Sequence, residues 1–189
     1  MANRIRFPVY RGEEPFVFIS YAHKDSAVVL PIAQELYRRK YRVWYDGGIE
    51  GGSRWAEFVA SHLLGAACVL FFPSVQFDAS RNCEREVNFA VDAKKPMACV
   101  ELDQEERSPG LKMQLSTVLS IPLSQSPAET CDALIATGAL GQELIDTGSG
   151  GEPPPPPPPP PYLGLIIGIV GIVLALLTGL AFFGYTRGW

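Results

Sequence analysis

Side chains equipped for chemistry gather at a few places in this 189-residue chain. They lie just after the apolar run Phe16–Tyr21, in the stretch Asp46–Gly52, at Ser74, and in Ser80-Arg81-Asn82-Cys83-Glu84-Arg85-Glu86-Val87. At about 100° per residue, Cys83, Val87, Ala90 and Val91 share one face of a helix, and Glu84 and Glu86 fall on its two flanks. Glu86 can therefore border a cleft. Lying in the first turns of that helix, its carboxylate is expected to be ionised, because the unsatisfied N–H groups there favour negative charge. The competing account is an acid that merely decorates a helix start. Several chemistries are excluded outright. No G-x-G-x-x-G follows the first apolar run and no G-K-[ST] occurs, so the backbone cradles for dinucleotides and triphosphates are missing. Four scattered cysteines and two histidines give no zinc spacing and no disulfide framework, and point to a reducing compartment.

The elements that must position these residues follow from periodicity. Short apolar runs at Phe16–Tyr21, Arg42–Tyr45, Cys68–Phe72, Met97–Leu102 and Val118–Pro122 read as strands. Between them lie helical patterns: one after Asp25, with Val29, Ile32, Ala33 and Leu36 on its core face, then Trp55–Leu64, Cys83–Ala93 capped by Asn82, and Ala128–Thr137. Pro31 either kinks the first helix or marks a later start. Cys68–Phe72 is apolar throughout, as expected of a strand covered on both faces. Strands alternating with helices predict a five-stranded parallel sheet with helices on both faces, of the flavodoxin-like kind. In such sheets ligands bind outside the carboxyl ends of the strands, which puts the loops at Tyr21, Asp46 and Ser74 beside the helix carrying Glu86. The third strand ends in Pro73-Ser74, where a phospho-acceptor domain would need an aspartate.

Composition divides the chain into an N-terminal extension over 1–13, a folded domain over 14–146, a linker over 147–161, an apolar segment over 162–185 and a tail over 186–189. The net charge of -4 offers no basic field for nucleic acid. Pro153–Pro161 cannot donate backbone hydrogen bonds and makes a stiff polyproline spacer of roughly 28 Å, either a bare stalk or a docking motif for a proline-reading domain. From Leu163 to Phe183 every residue is apolar, glycine or threonine. As a helix that stretch spans roughly 31 Å, the hydrocarbon thickness of a bilayer, with Tyr162 and Tyr185 at interfacial depth. One membrane-spanning helix is expected. Gly164, Gly168, Gly171, Ala175 and Gly179 line one face, a stripe that favours pairing of two such helices unless it reflects only the abundance of glycine in membrane helices. Arg187 alone would favour the opposite orientation, but the N-terminus has no apolar export run, so the folded domain is expected to face the cytoplasm.

Phe18-Ile19-Ser20-Tyr21 with Asp25, then Val43-Trp44-Tyr45-Asp46 leading to Gly52 and Trp55, resemble a bacterial-type TIR domain. So do Ser80–Val87, Ala90 and Lys95-Pro96, and the resemblance spans about residues 14 to 137. It implies a self-assembling five-stranded fold that in many microbial members cleaves NAD⁺ at the nicotinamide–ribose bond, with NAD⁺ as substrate and no cofactor or metal. Glu86 stands at the catalytic glutamate. Nicotinamide leaves as a neutral molecule from a cationic bond, so no acid need protonate it, and one carboxylate can stabilise or attack the oxocarbenium-like ribose. Ser20, Tyr21, Asp46, Glu50 and Trp55 are the implied substrate contacts. Tyr21 and Trp55 would stack on rings or serve as ordinary core, and Asp46 and Glu50 would bind ribose hydroxyls or remain solvated loop charges. Ala22, His23 and Asn82 depart from the residues of some catalytic members. The expected partners are further copies of the chain, through both the TIR domain and the membrane helix, and other TIR domains. A scaffold that binds TIR domains without chemistry is the alternative function.

Overall fold

A computed structural model describes residues 7–47 and 55–146. The linker 147–161, the apolar segment 162–185, and Glu50 lie outside the described residues. Among the described residues no helix is long and apolar enough to cross a membrane.

Five parallel strands, β1 (Val17–Ser20), β2 (Val43–Tyr45), β3 (Cys68–Phe71), β4 (Met97–Glu101) and β5 (Leu119–Pro122), form one sheet in the order β2-β1-β3-β4-β5. The helices are α1 (Ser26–Arg38), α2 (Trp55–Gly65), α3 (Val75–Asp78), α4 (Arg81–Asp92), α5 (Pro109–Leu115) and α6 (Pro127–Ala136), with a 3₁₀ turn over His23–Asp25. Alternating side chains of the strands feed two separate cores. Val17, Ile19, Val43, Leu70 and Val100 pack against α1 and α6, while Phe18, Trp44, Val69, Phe71 and Cys99 pack against α2, α4 and α5. A strand buried on both faces has no polar side to show, which is why these runs read as continuously apolar. Leu70 is fully buried, and Leu70→Ala is expected to lower stability by about 3 kcal/mol, read as a shift of the urea midpoint at unchanged slope.

The expected core face of α1, Val29, Ile32, Ala33 and Leu36, is the buried one. Pro31 lies inside the helix, which begins at Ser26 and continues through it. The helix therefore forgoes one backbone bond, and burial of its apolar stripe holds it in place. Two helices end without glycine: Lys40 and Lys94, just past α1 and α4, take left-handed backbone angles (φ 71° and 52°). Tyr41 N–H then donates to Leu36 O, and Lys95 N–H to Ala90 O, closing the last carbonyls of each helix.

One expectation is corrected. α4 starts at Arg81, and its cap is Ser80, whose Oγ accepts from Cys83 N–H at 3.3 Å, rather than Asn82. Asp25 occupies the N-cap position of α1, and its carboxylate accepts from Ser74 instead of capping a helix N–H. The one-turn α3 and the seven-residue α5 are additions to the sequence reading.

Candidate functional site

The chain leaves β1, runs outward to β2 by α1, and returns across β1 to β3, so the strand order reverses between β1 and β3. Loops diverge at such a point and leave a crevice at the carboxyl edge. A cavity of about 250 Å³ lies there, walled by Phe18, Ile19, Tyr21, Ala22, His23 and Lys24 from β1 and its turn, by Asp46 after β2, and by Gln76, Ala79, Ser80, Asn82, Cys83 and Glu86 from the α3–α4 segment.

Glu86 is the sixth residue of α4, counted from Arg81. Ser20, at the end of β1 and 1% exposed, donates its hydroxyl to Glu86 Oε2 at 2.5 Å. The residue as a whole is half-buried, yet its carboxyl is enclosed, and burial pushes it up from 4.5 to about 7. The Ser20 hydrogen bond pulls the other way, and the nearby negative charge of Asp46 adds to the rise. The expected fully ionised carboxylate is therefore corrected: near neutral pH Glu86 is shared between its two forms. The physical reason is position. The helix-terminal field fades beyond the first turn, and at the sixth residue desolvation outweighs it.

Of the other expected contacts, Tyr21 and Asp46 face the same cavity as Glu86. Ser20 is not among the residues lining it, and acts instead as the hydrogen-bond donor that orients Glu86. Burial raises the Tyr21 phenol, with Tyr45 and Asp46 adding to the effect, so it stays neutral. Trp55 is the first residue of α2, and only that backbone position is described.

Further neighbours complete the site. His23 Nε2 lies 3.6 Å from Asp46 Oδ2. Lys24 reaches the cavity from the 3₁₀ turn and Gln76 from α3, neither of them marked by a signal in the sequence. Ser74, 3% exposed, donates to Asp25 Oδ2 at 2.6 Å while accepting from Phe77 N–H at 2.9 Å. That pair ties the turn after β1 to the segment after β3, and so joins two walls of the cavity. The Cys83 thiol, pushed up to about 12 mainly by burial, stays protonated.

A wider groove of about 530 Å³ opens beyond β4, lined by Glu101, Asp103, Arg107, Leu111 and Lys112 among others. Both of its basic side chains are paired: Arg107 with Glu101 at 3.2 Å and Asp103 at 2.6 Å, and Lys112 with Glu106 at 2.6 Å. The smaller cavity, with its enclosed and titratable carboxyl, is the better candidate.

No curated protein matches the chain in sequence. In fold it is similar to the CMP N-glycosidase BcmB of Clostridium botulinum (TM-score 0.49, 13% identity, 64% of this chain and 98% of that one). It is also similar to the TIR domain of a Toll-related receptor from Hydra magnipapillata (0.45, 14%, 64% and 88%). A third likeness is to a putative pilus assembly-related protein from Burkholderia pseudomallei (0.42, 11%, 71% and 95%). At such identities and scores these likenesses bear on neither substrate nor mechanism. The family model described as TIR domain matches residues 17–135, the stretch that holds all five strands and every wall of the cavity, and the chain belongs to that family.

Proposed function

We propose that the chain is a membrane-anchored TIR-domain effector that hydrolyses NAD⁺ to nicotinamide and ADP-ribose when its domains are brought together. The single observation that carries this reading is the enclosed Glu86 carboxyl, oriented by Ser20 in a cavity it shares with Asp46 and Tyr21.

In that reaction the bond between C1′ of ribose and the ring nitrogen breaks, and its electron pair neutralises the pyridinium. Water adds to C1′ and loses a proton. The ionised form of Glu86 would stabilise the oxocarbenium-like ribose and accept the proton of the attacking water. Ser20 holds Oε2, which assigns Oε1 to the substrate. Asp46 would add negative potential or bind a ribose hydroxyl, and Tyr21 would offer a ring face.

The membrane anchor rests on the apolar segment 163–183, and clustering rests on that segment's small-residue stripe together with the tendency of TIR domains to associate. A non-catalytic scaffold is the second reading. It draws on Met113 and Leu119, 72% and 44% exposed, the latter on edge strand β5.

The test compares the full chain at high density in lipid vesicles with the same amount diluted in detergent, following NAD⁺ loss and nicotinamide formation by chromatography. Turnover is expected to rise at least ~10-fold with density, in the range that raised effective concentration produces. Equal rates in both states would refute activation by clustering, and no turnover in either would leave the scaffold.

A further inference from the structure

The chain ahead of β1 lies before the residues that match the family, 17–135, yet it packs into the domain on both faces of the sheet. Phe7, 7% exposed, belongs to the core that β1 and β2 share with α1 and α6, while Val9 and Tyr10 rest against the opposite core. Between them the chain rounds the outer edge of β2, where Tyr10 N–H donates to Val43 O at 2.9 Å. Tyr10 is held in turn: its hydroxyl accepts from Glu14 N–H at 3.0 Å, and its ring lies 5.8 Å from that of Phe16. A segment that changes faces at a sheet edge and bonds to the edge strand on its way is a strap.

Phe7 sits where the strap approaches the site. Its ring stacks on that of Tyr37 in α1, with centroids 5.5 Å apart, and lies against that of Tyr45 in β2 at 5.0 Å. Tyr45 pairs in register with Ile19, and Tyr21 follows Ile19 on the same face. The two phenols are near enough for charge on Tyr45 to raise the Tyr21 phenol. Tyr21 walls the Glu86 cavity, and so does Asp46, the residue after Tyr45. Phe7 therefore backs Tyr45, and Tyr45 backs that wall.

Little else holds this corner. β2 has three residues where the other strands have four or five, so few ladder bonds fix its end. Tyr37 is 41% exposed and Tyr45 half-buried even with Phe7 in place. Without the Phe7 ring, Tyr45 would lose its contacts on one side and gain room to move. The opposite wall does not depend on the strap. Ser20 bonds to Glu86, and α4 packs Cys83 and Val87 into the other core.

We propose that the N-terminal segment is a positioning strap for the site: Phe7, acting through Tyr45, sets how firmly the wall of Tyr21 and Asp46 is held opposite Glu86. The kinetic consequence rests on reading the cavity as the place of NAD⁺ cleavage, and the packing consequence stands without it. Whatever draws the strap off the β2 edge weakens substrate binding without touching Glu86.

The experiment compares the full chain in detergent with Phe7→Ala and Phe7→Leu, by hydrogen exchange read by mass spectrometry and by hydroxyl-radical labelling. In Phe7→Ala, peptides covering 43–47 and 20–25 are expected to exchange at least ~10-fold faster while those covering β4 stay unchanged. Labelling should rise at Tyr21 and Tyr45 and stay unchanged at Phe71, which is fully buried. Phe7→Leu keeps most of the bulk and should show the same pattern more weakly, and it carries the test alone if Phe7→Ala does not fold. With NAD⁺, Phe7→Leu is expected to raise KM about fivefold and to leave kcat within about twofold, because Glu86 and Ser20 keep their bond. Unchanged exchange at 43–47, acceleration that includes β4, or an unchanged KM in a variant whose wall has loosened would each overturn the proposal. A wild-type chain that cleaves no NAD⁺ would defeat the hydrolase reading, and exchange and labelling would then decide the strap by themselves.

Discussion

Replacing Glu86 by glutamine is expected to abolish NAD⁺ cleavage and, in the same protein, to make the domain harder to unfold at pH 8. The loss of activity should be at least ~100-fold in kcat, because a neutral amide can neither stabilise a cationic ribose nor take a proton from water. Glutamine keeps the carbonyl oxygen that Ser20 needs, so the geometry of the site should survive. The stability change follows from linkage. In the unfolded chain Glu86 ionises around its ordinary 4.5, and in the folded domain at about 7, chiefly because it is buried. Between those values the folded protein holds a proton that the unfolded chain has released. This group's contribution is therefore fully present below about pH 4.5, declines as pH rises, and is lost above about pH 7. At about 1.4 kcal/mol per pH unit the difference is of order 3 kcal/mol. Urea unfolding should show wild type and variant equally stable at pH 4 and the variant ahead by roughly that amount at pH 8. An inactive variant with no gain in stability at pH 8 would mean that the carboxyl is not enclosed. A fully active variant would remove Glu86 from the chemistry altogether.

Arg42→Ala is expected to cost about 3 kcal/mol and to loosen both ends of the domain together. Arg42 is 6% exposed, immediately before β2. Its guanidinium donates to Pro15 O at 3.2 Å and to Glu143 O at 2.9 Å, pairs with Glu14, and sits over the Tyr10 ring at 5.9 Å. The backbone repeats the pattern: Tyr10 N–H donates to Val43 O, and Arg42 N–H to Leu144 O, each at 2.9 Å. One side chain thus clamps the segment before β1 and the segment after α6 along the β2 edge of the sheet. That edge would otherwise present unpaired backbone groups. Truncation leaves two carbonyls without their donor and a carboxylate without its partner, which is the costly way to break a buried charge. Glu14 is 36% exposed at its side chain, and Glu14→Gln should cost under ~1 kcal/mol. Amide hydrogen exchange reads the outcome directly: in Arg42→Ala the amides of Tyr10 and Arg42 should lose protection well before those in β3. Uniform loss across the sheet would show that the clamp is part of the global fold and not a local device.

The order of strands and helices was legible because each element carries its own periodicity. Continuous apolar strands and the Val29, Ile32, Ala33, Leu36 stripe needed no knowledge of what they pack against. The short elements were not legible. α5 opens with Pro109-Gly110, a pair that reads as a turn, although Ser108 as cap with proline in the first turn was the available signal. The start of α4 was misplaced by two residues because Ser80 and Asn82 are both good caps, and the choice between them lies in the backbone path out of α3. The end of α4 was read to within a residue, but the left-handed turns at Lys40 and Lys94 that close α1 and α4 were not legible, since lysine rarely takes that conformation.

Of the candidate site, Glu86, Tyr21 and Asp46 were identifiable as residues at the carboxyl ends of strands or on the helix that borders them, and they do meet in one cavity. Sequence alone thus determined the fold class, which loops face the crevice, and which side chains stand in them, because these depend on patterns within a few residues. Tertiary structure decided what those side chains are. It turned Ser20 toward Glu86 from 66 positions away in the chain, put Asp25 on Ser74, and enclosed a carboxyl enough to hold its proton near neutral pH. Charge state and hydrogen-bond partnership are properties of the surroundings in space, and no stretch of neighbouring residues records them.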